Sequence, residues 1–521
     1  MKDNRKLILP VVLLTMALSA TAQAENEKLF YTFGQLKNQN GWLNSQNAAG
    51  LATYGQENFT QAAISGVFTE GSLRNVYDPV KENDYQLNVR SYRRLNDVML
   101  YGQIVFDYDL KKDQQWTSMT YPGSSPLHIA DKTPGTQTCE TYFIDGGIGV
   151  PVGAGFTFGG YFDFKGVSNA KKKDIRNKNN FSIYHLKPSV MWEKGNFRLG
   201  ANYSFGSETE KIEWLVYGDK MQHEVFFFEG LWFGPSEITS ASVTDRRFER
   251  SLQEGAMQLE YASNTIRLFN QLRVNKEQLD VYLKVDEERG GENKKAGYVY
   301  DGQLWMSGAL FNHSLKWHAS HGFVKSYQNL QQREMVNYVY QYVQYGTILR
   351  YTQSDWNTGL SYELLRMRDK AEWRQNWRLL IESGFSYREQ KFRAYPTVFS
   401  QQIRQAYVTL GFDKNLLFSS GMLDLGIKAC WQTGWGDPLR ITDPESTNGY
   451  KYQEELQQAE YAYLTAQTLG TEVSVKYTWF QNPTYGFAPF AKASYVYREA
   501  TNRAAQDKSR SHIEFALGLN F

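Results

Sequence analysis

Residues 512–521 read His512-Ile513-Glu514-Phe515-Ala516-Leu517-Gly518-Leu519-Asn520-Phe521. Ile513, Phe515, Leu517, Leu519 and Phe521 alternate with residues that are polar or small. In a β-strand successive side chains point to opposite faces. One face of this strand is therefore wholly apolar and the other is polar or small. The same period runs upstream. Val98, Leu100, Ile104, Phe106 and Tyr108 form one apolar row, Phe156, Phe158, Phe162 and Phe164 another, and Leu423, Leu425, Ile427 and Trp431 a third. Short turns join many of these runs, which predicts antiparallel pairing.

Composition narrows the choice of all-β architecture. Aromatics are 15% of the 521 residues, with 35 Tyr, 31 Phe and 13 Trp, while mean hydropathy is only −0.55. After residue 24 no window holds anything near 18 uninterrupted apolar residues, which excludes a helical membrane protein. The aromatic and β-branched content excludes disorder. With 13 Pro and 2 Cys, the chain is neither collagen-like nor a disulfide scaffold. A propeller would repeat every 40–50 residues or so, and no such repeat occurs. Many aromatics in a hydrophilic, alternating chain are the composition of a transmembrane antiparallel β-barrel.

Connection lengths sort the two ends. Short turns are expected near Leu95-Asn96, Pro151 to Ala154, Glu193 to Asn196 and Gln481 to Thr484. Long ones are expected near 111–138, 167–180, 207–254, 433–468 and 499–509, and these are assigned to the cell exterior. Eighteen runs can be marked, including single strands at 255–274 and 376–394 and separate ones at 340–352 and 355–368. Parity fails across 369–401, so the expectation is 16–18 strands, with 14 as the lower bound.

Lys2, Arg5 and Lys6 precede an apolar run from Leu7 to Leu18, followed by small residues at Ala22 and Ala24. This pattern predicts a secretory signal peptide over 1–24, cleaved after Ala24. Cleavage leaves 54 bases against 54 acids, from 57 and 55. A neutral mature chain gives no reason to expect a nucleic-acid partner. Residues 25–60 then form a polar N-terminal segment and 61–521 the barrel.

The alternating strand that ends in Phe521 resembles the terminal strand of bacterial outer-membrane barrels. That resemblance implies recognition of Phe515, Leu517, Leu519 and Phe521 by the outer-membrane assembly machinery. It also implies an environment of outer-membrane lipid and lipopolysaccharide. The segment Asn47-Ala48-Ala49-Gly50-Leu51 is similar to an Asn-Pro-Ala-Gly-Leu segment of the long-chain fatty-acid transporter barrels, with Ala48 in place of Pro. Taken with Trp42, Asp174-Ile175-Arg176 and Phe521, it looks more like an uncharacterised barrel family of Bacteroidetes outer membranes. A TonB-dependent receptor is excluded on length, since that family carries a much longer folded plug and more strands.

Asp107, Asp163, Lys165, Arg198, Asp424, Lys428, Glu472, Lys476 and Glu514 share parity opposite the apolar rows and are expected in the lumen. Their mixed signs predict a neutralised wall rather than the single-sign ring that ion selectivity requires. Trp42, Asn47, Gly50 and Leu51 are apolar or turn-forming anchors in a polar segment, and are expected to pack inside the barrel as a plug. His313, His318 and His321 do not all share a strand face, so no metal site is expected among them. His128 and His223 lie near Asp131 and Glu224 in predicted external loops, but no nucleophile motif accompanies them. An outer-membrane hydrolase is therefore the least favoured reading, and neither enzyme activity nor a cofactor is expected. Whether Cys139 and Cys430 pair is left open. Two functions remain: passive transport or binding of a small nutrient, apolar molecules included, or an accessory barrel docking with a larger uptake or secretion assembly. The first needs a small-molecule substrate and the second a membrane-protein partner.

Overall fold

The computed structural model describes residues 32–55, 58–218, 222–240, 245–283, 288–336, 339–368, 375–441, 447, 450–480, 486–502 and 508–521. The expected signal peptide and its cleavage site lie outside the described residues. Eighteen strands form the wall. The first nine are β1 (Phe59–Gly71), β2 (Lys81–Leu95), β3 (Val98–Gln114), β4 (Gly135–Gly153), β5 (Phe156–Lys171), β6 (Arg176–Lys194), β7 (Phe197–Leu215), β8 (Arg246–Ala262) and β9 (Ile266–Leu283). The rest are β10 (Glu288–Ser307), β11 (Phe311–Val336), β12 (Val339–Met367), β13 (Gln375–Ala394), β14 (Thr397–Phe418), β15 (Gly421–Asp437), β16 (Thr468–Trp479), β17 (Ala488–Ala500) and β18 (Ser509–Asn520).

Each strand pairs antiparallel with its chain neighbours, and β1 pairs with β18 from Gln61↔Asn520 to Gly71↔Arg510. The sheet therefore has no free edge. Closure pairs the ladders within the protein, the condition a strand-built wall must meet in hydrocarbon. Ile64, Ile104, Phe158, Ile427 and Phe515 are among the large apolar residues exposed on the outer surface. Where the lumen is polar and the outer face apolar, the sheet is inside-out relative to a soluble barrel. This is a membrane-spanning architecture.

The barrel class agrees with the alternation, but the strand range is corrected. The ring has 18 strands, which overturns 14 and also excludes 16. Two boundary errors cancelled in the sequence reading. The run 255–274 contains the end of β8, a turn at 263–265 and the start of β9. The runs 340–352 and 355–368 are one strand, β12, because Thr352 and Ser354 make the outer face polar there without interrupting the ladder to β11. The ambiguous stretch 369–401 contains β13, the two-residue turn Tyr395-Pro396 and the start of β14. The long connection expected at 167–180 shrinks to 172–175, since β5 and β6 run past the belt.

Most connections at the end where β1 begins and β18 finishes are tight. Asn96 takes φ 54 in the turn between β2 and β3, and Gly195 takes φ 59 between β6 and β7; these are left-handed positions that suit two-residue hairpins. Three long connections lie at the opposite end and fold over the lumen. A short strand in the β3–β4 connection (His128–Asp131) pairs with His223–Phe228 in the β7–β8 connection, which also pairs with Ser236–Thr239. Phe233–Gly234 pairs with Lys451–Tyr452 in the β15–β16 connection, just before a helix over Glu454–Leu464. Buried aromatics such as Phe226, Phe228 and Trp232 hold this cap together. Lys171 Nζ donates to both carboxylate oxygens of Asp131, at 2.6 and 2.8 Å, and ties the cap to β5.

Candidate functional site

Residues 32–55 enter the barrel at the end where β1 begins and β18 finishes. Thr32 caps helix α1 (Phe33–Gln39) reciprocally. Gln35 N donates to Thr32 Oγ1 and Thr32 N donates to Gln35 Oε1, each at 3.1 Å, which satisfies two otherwise orphaned donors. Asn40 caps helix α2 (Gly41–Asn44), and Asn47 caps a 3₁₀ turn over Ala48–Thr53. Alternating turns and caps compress the segment into a small plug with its own apolar face. Phe33, Leu36, Leu43, Leu51 and Tyr54 pack against Phe59, Tyr92, Met99 and Tyr101 of the wall.

The deepest anchors carry polar atoms to matched partners. Trp42 is 1% exposed, and its indole Nε1 donates to Glu260 Oε2 at 2.6 Å. Glu260 is also bound by Arg198 at 2.9 Å, so the buried carboxylate is paired and not orphaned. Asn47 Nδ2 lies within hydrogen-bond distance of Val190 O, Ala201 O and Gln258 Oε1, at 3.1, 3.3 and 2.9 Å. The wall meets this turn with glycine. A Cβ on Gly159 would lie 2.2 Å from Ala49 N, and one on Gly200 would lie 2.7 Å from both Asn47 Nδ2 and the Trp42 ring. Gly50 is itself buried, and a Cβ there would meet Trp42 at 2.9 Å. The plug and its seat are thus complementary at backbone level. Plug contacts run from β1 round to β11, where Lys316 Nζ donates to Asn38 Oδ1 at 3.0 Å.

A cavity of about 490 Å³ lies between the plug and β9–β14, lined by polar groups such as Gln271, Arg273, Asp301, Lys316 and His318. His318 Nδ1 is 2.7 Å from Asp301 Oδ1, and Arg273 donates to Asp301 Oδ2 at 2.9 Å. A second cavity of about 380 Å³ lies beneath the cap. Both fall in the size range of small-molecule sites, roughly 300–1,000 Å³.

The lumen residues expected from sequence do not converge on one point. Asp163 pairs with His185 and Lys187, Lys428 with Glu472, and Glu514 with Lys492. Arg198 joins Glu193 and Glu260, and Asp424 accepts from Asn415. Lys165 and Lys476 sit over the rings of Tyr121 and Phe490 at 4.8 and 4.7 Å. Asp107 clusters with Asp84 and Asp109. The wall is a set of locally neutralised pairs with one acidic patch. His313 and His321 face outward beside Tyr362 and Trp356, while His318 faces the lumen. Cys139 and Cys430 are both free thiols. Asp131 is engaged by Lys171, and His128 Nε2 lies 2.8 Å from the Trp116 carbonyl, so these two do not form an acid–base pair.

The residues under the cap were missed as a group. Trp232, Tyr351, Arg388 and Glu460 come from two external connections and two strands. A signal was present: Phe226-Phe227-Phe228 and Trp232-Phe233 are too apolar for a solvated loop, and imply a loop that folds inward.

Ring closure, outer apolar belt and internal plug together define a plugged membrane β-barrel. The family model described as "Family of unknown function (DUF6850)" matches residues 48–521, and the chain belongs to that family. The Asn47–Leu51 likeness to fatty-acid transporters thus gives way to an uncharacterised family. No curated protein matches the sequence. Among solved structures, the chain is similar to the outer membrane transporter YddB from Escherichia coli (8% identity, TM-score 0.40, 88% of this chain and 80% of that one). It is also similar to BauA, the ferric preacinetobactin receptor from Acinetobacter baumannii (8%, 0.40, 89% and 80%). The toluene transporter TodX from Pseudomonas putida is similar at 10% identity and TM-score 0.31, over 96% and 98% of the two chains. Likenesses this distant assign no function.

Proposed function

We propose that this protein is an outer-membrane conduit for a small polar solute, with the plug narrowing its lumen. The observation that carries the reading is the cavity of about 490 Å³ beside the plug, with charged and polar groups in its lining. A plug that filled the barrel would leave no such space. The lining argues against an apolar solute. Arg273, Asp301, Lys316 and His318 are already paired, but their side chains keep 22–43% exposure, and an apolar ligand would strip that water without replacing its hydrogen bonds. The locally neutral wall predicts weak charge discrimination.

The test is flux through reconstituted protein. Proteoliposomes should swell in small neutral polyols and exclude large ones, and the protein should fractionate with the outer membrane. A correctly folded barrel impermeable to every small solute would overturn the conduit reading and leave the accessory barrel.

A further inference from the structure

Resting on that conduit reading, we infer that the cavity beneath the cap is a recognition site for a neutral saccharide or closely similar polyol. Charge in the cavity is already balanced. Three cations line the cavity, Arg250, Lys295 and Arg388, and each already has a carboxylate. Lys295 Nζ donates to Glu277 Oε1 at 2.9 Å, Arg250 lies 3.4 Å from Glu277, and Arg388 Nε donates to Asp355 Oδ1 at 2.8 Å. With Glu460 also in the lining, three carboxylates stand against three cations, so the cavity holds no net charge to favour an ionic ligand over a neutral one.

Hydrogen-bonding capacity nevertheless remains on both sides. The terminal nitrogens of Arg388 have no hydrogen-bond partner among the described residues, and its side chain is 44% exposed within the lumen. On the cap, His128 is 7% exposed and its Nε2 faces the Trp116 carbonyl. A carbonyl only accepts, so Nε2 carries the proton and Nδ1 is left as an acceptor. That Nδ1 is buried and has no partner. The open donors on the wall suit the lone pairs of a hydroxyl, which meets them without bringing charge into the cavity. A polyol presents several.

The apolar part of the site is built at a cost. Leu231 and Trp232 occupy consecutive left-handed positions, φ 49 and 61, in a turn closed by Phe233 N donating to Gly230 O at 3.0 Å. Bulky residues rarely adopt this conformation, at on the order of 1–2 kcal/mol each. Surrounding contacts must hold it. The turn places Trp232 against Phe228 and His128, at ring separations of 5.0 and 5.9 Å, with its indole Nε1 donating to Glu460 Oε2 at 2.6 Å. A fixed aromatic group beside hydrogen-bonding residues matches the two-sided chemistry of a sugar ring, with its C–H face and hydroxyl rim.

Calorimetry on the full protein in detergent tests the assignment, with glucose, N-acetylglucosamine and maltose as neutral probes. Glucuronate and glucosamine serve as charged counterparts. At least one neutral sugar should bind at millimolar concentration or tighter, and its charged counterpart at least tenfold more weakly. Arg388→Gln should weaken that binding tenfold or more; it lies on the wall and leaves the cap intact. Trp232→Leu should do the same if heat-modifiable mobility shows a folded barrel. No neutral binding, a preference for charged probes, or unchanged affinity in Arg388→Gln would each overturn it. If polyol flux persists while binding fails, the saccharide site falls and the conduit stands; if binding persists without flux, the reverse holds.

Discussion

Gly159 and Gly160 are adjacent and chemically identical, yet they face different surroundings. A Cβ on Gly159 would collide with the backbone of Ala48 and Ala49, while one on Gly160 meets nothing within 4 Å. Gly159→Ala should therefore unseat the plug and leave the barrel intact, whereas Gly160→Ala should be silent. Single-channel conductance separates them: an increase only in the first is expected, and equal traces would mean the plug shifts without leaving. His128 supplies a second contrast. Burial holds its imidazole down to about 4, while burial pushes the Glu229 carboxyl up to about 7 against the opposing pull of Arg350. From pH 6.5 down to 4 an unfolded cap gains a proton at His128 that the folded cap refuses, so acid destabilises it, by up to about 3 kcal/mol at ~1.4 kcal/mol per unit. Glu229 works the other way: its folded form keeps a proton that the unfolded form loses, so its contribution fades as pH rises from about 4.5 to 7. His128→Asn should make the cap relatively more resistant to acid, and Glu229→Gln relatively less. Hydrogen exchange in His223–Phe228 at pH 7 and 5, corrected for intrinsic rates, reads both; shifts of the same sign would refute the assignment.

A strand is legible from sequence only where its two faces meet different solvents. Leu425 and Ile427 of β15 are exposed outward, and Lys428 turns inward to Glu472, so the alternation there is clean. Leu425→Arg places a charge on the lipid face and should cost about 2–4 kcal/mol near mid-bilayer. Lys428→Gln breaks a half-exposed ion pair, a class typically worth under about 1 kcal/mol. Urea unfolding in lipid vesicles should show the first far less stable than the second; equal losses would invert the facing. The same logic explains the boundary errors. β11 and β12 run 26 and 29 residues, well past the belt. Beyond the belt both faces are wet and period two fades, so β12 read as two strands. Between β8 and β9 the turn at 263–265 is so short that the two strands read as one.

At the scale of the whole molecule, the wall was legible in the sequence and the cap was not. Trp42 stands out because Asn38, Gln39, Asn40, Asn44, Ser45 and Gln46 flank it, and Leu51 because it closes the Asn47–Leu51 turn. Trp232 and Glu460 meet only through contacts between connections 228 residues apart in the chain, which no local pattern encodes. The plug is also the part whose removal tests the assembly most directly. No wall ladder passes through it: β1 pairs with β2 and β18 regardless of residues 32–55. Its contribution is side-chain burial, with Phe59, Tyr92 and Met99 covered by Phe33, Leu51 and their neighbours, at about 1.5–3 kcal/mol for each large apolar side chain fully removed from water. Deleting residues 33–54 should therefore lower the melting temperature yet leave a closed, heat-modifiable barrel. Glu260 would lose Trp42 but keep Arg198, so no carboxylate is stranded. Conductance in planar bilayers should rise, because the space now shared with the cavity beside β9–β14 opens. An intact barrel with unchanged conductance would place the narrowest point at the cap, and truncating the 216–245 connection should then raise conductance where the plug deletion did not.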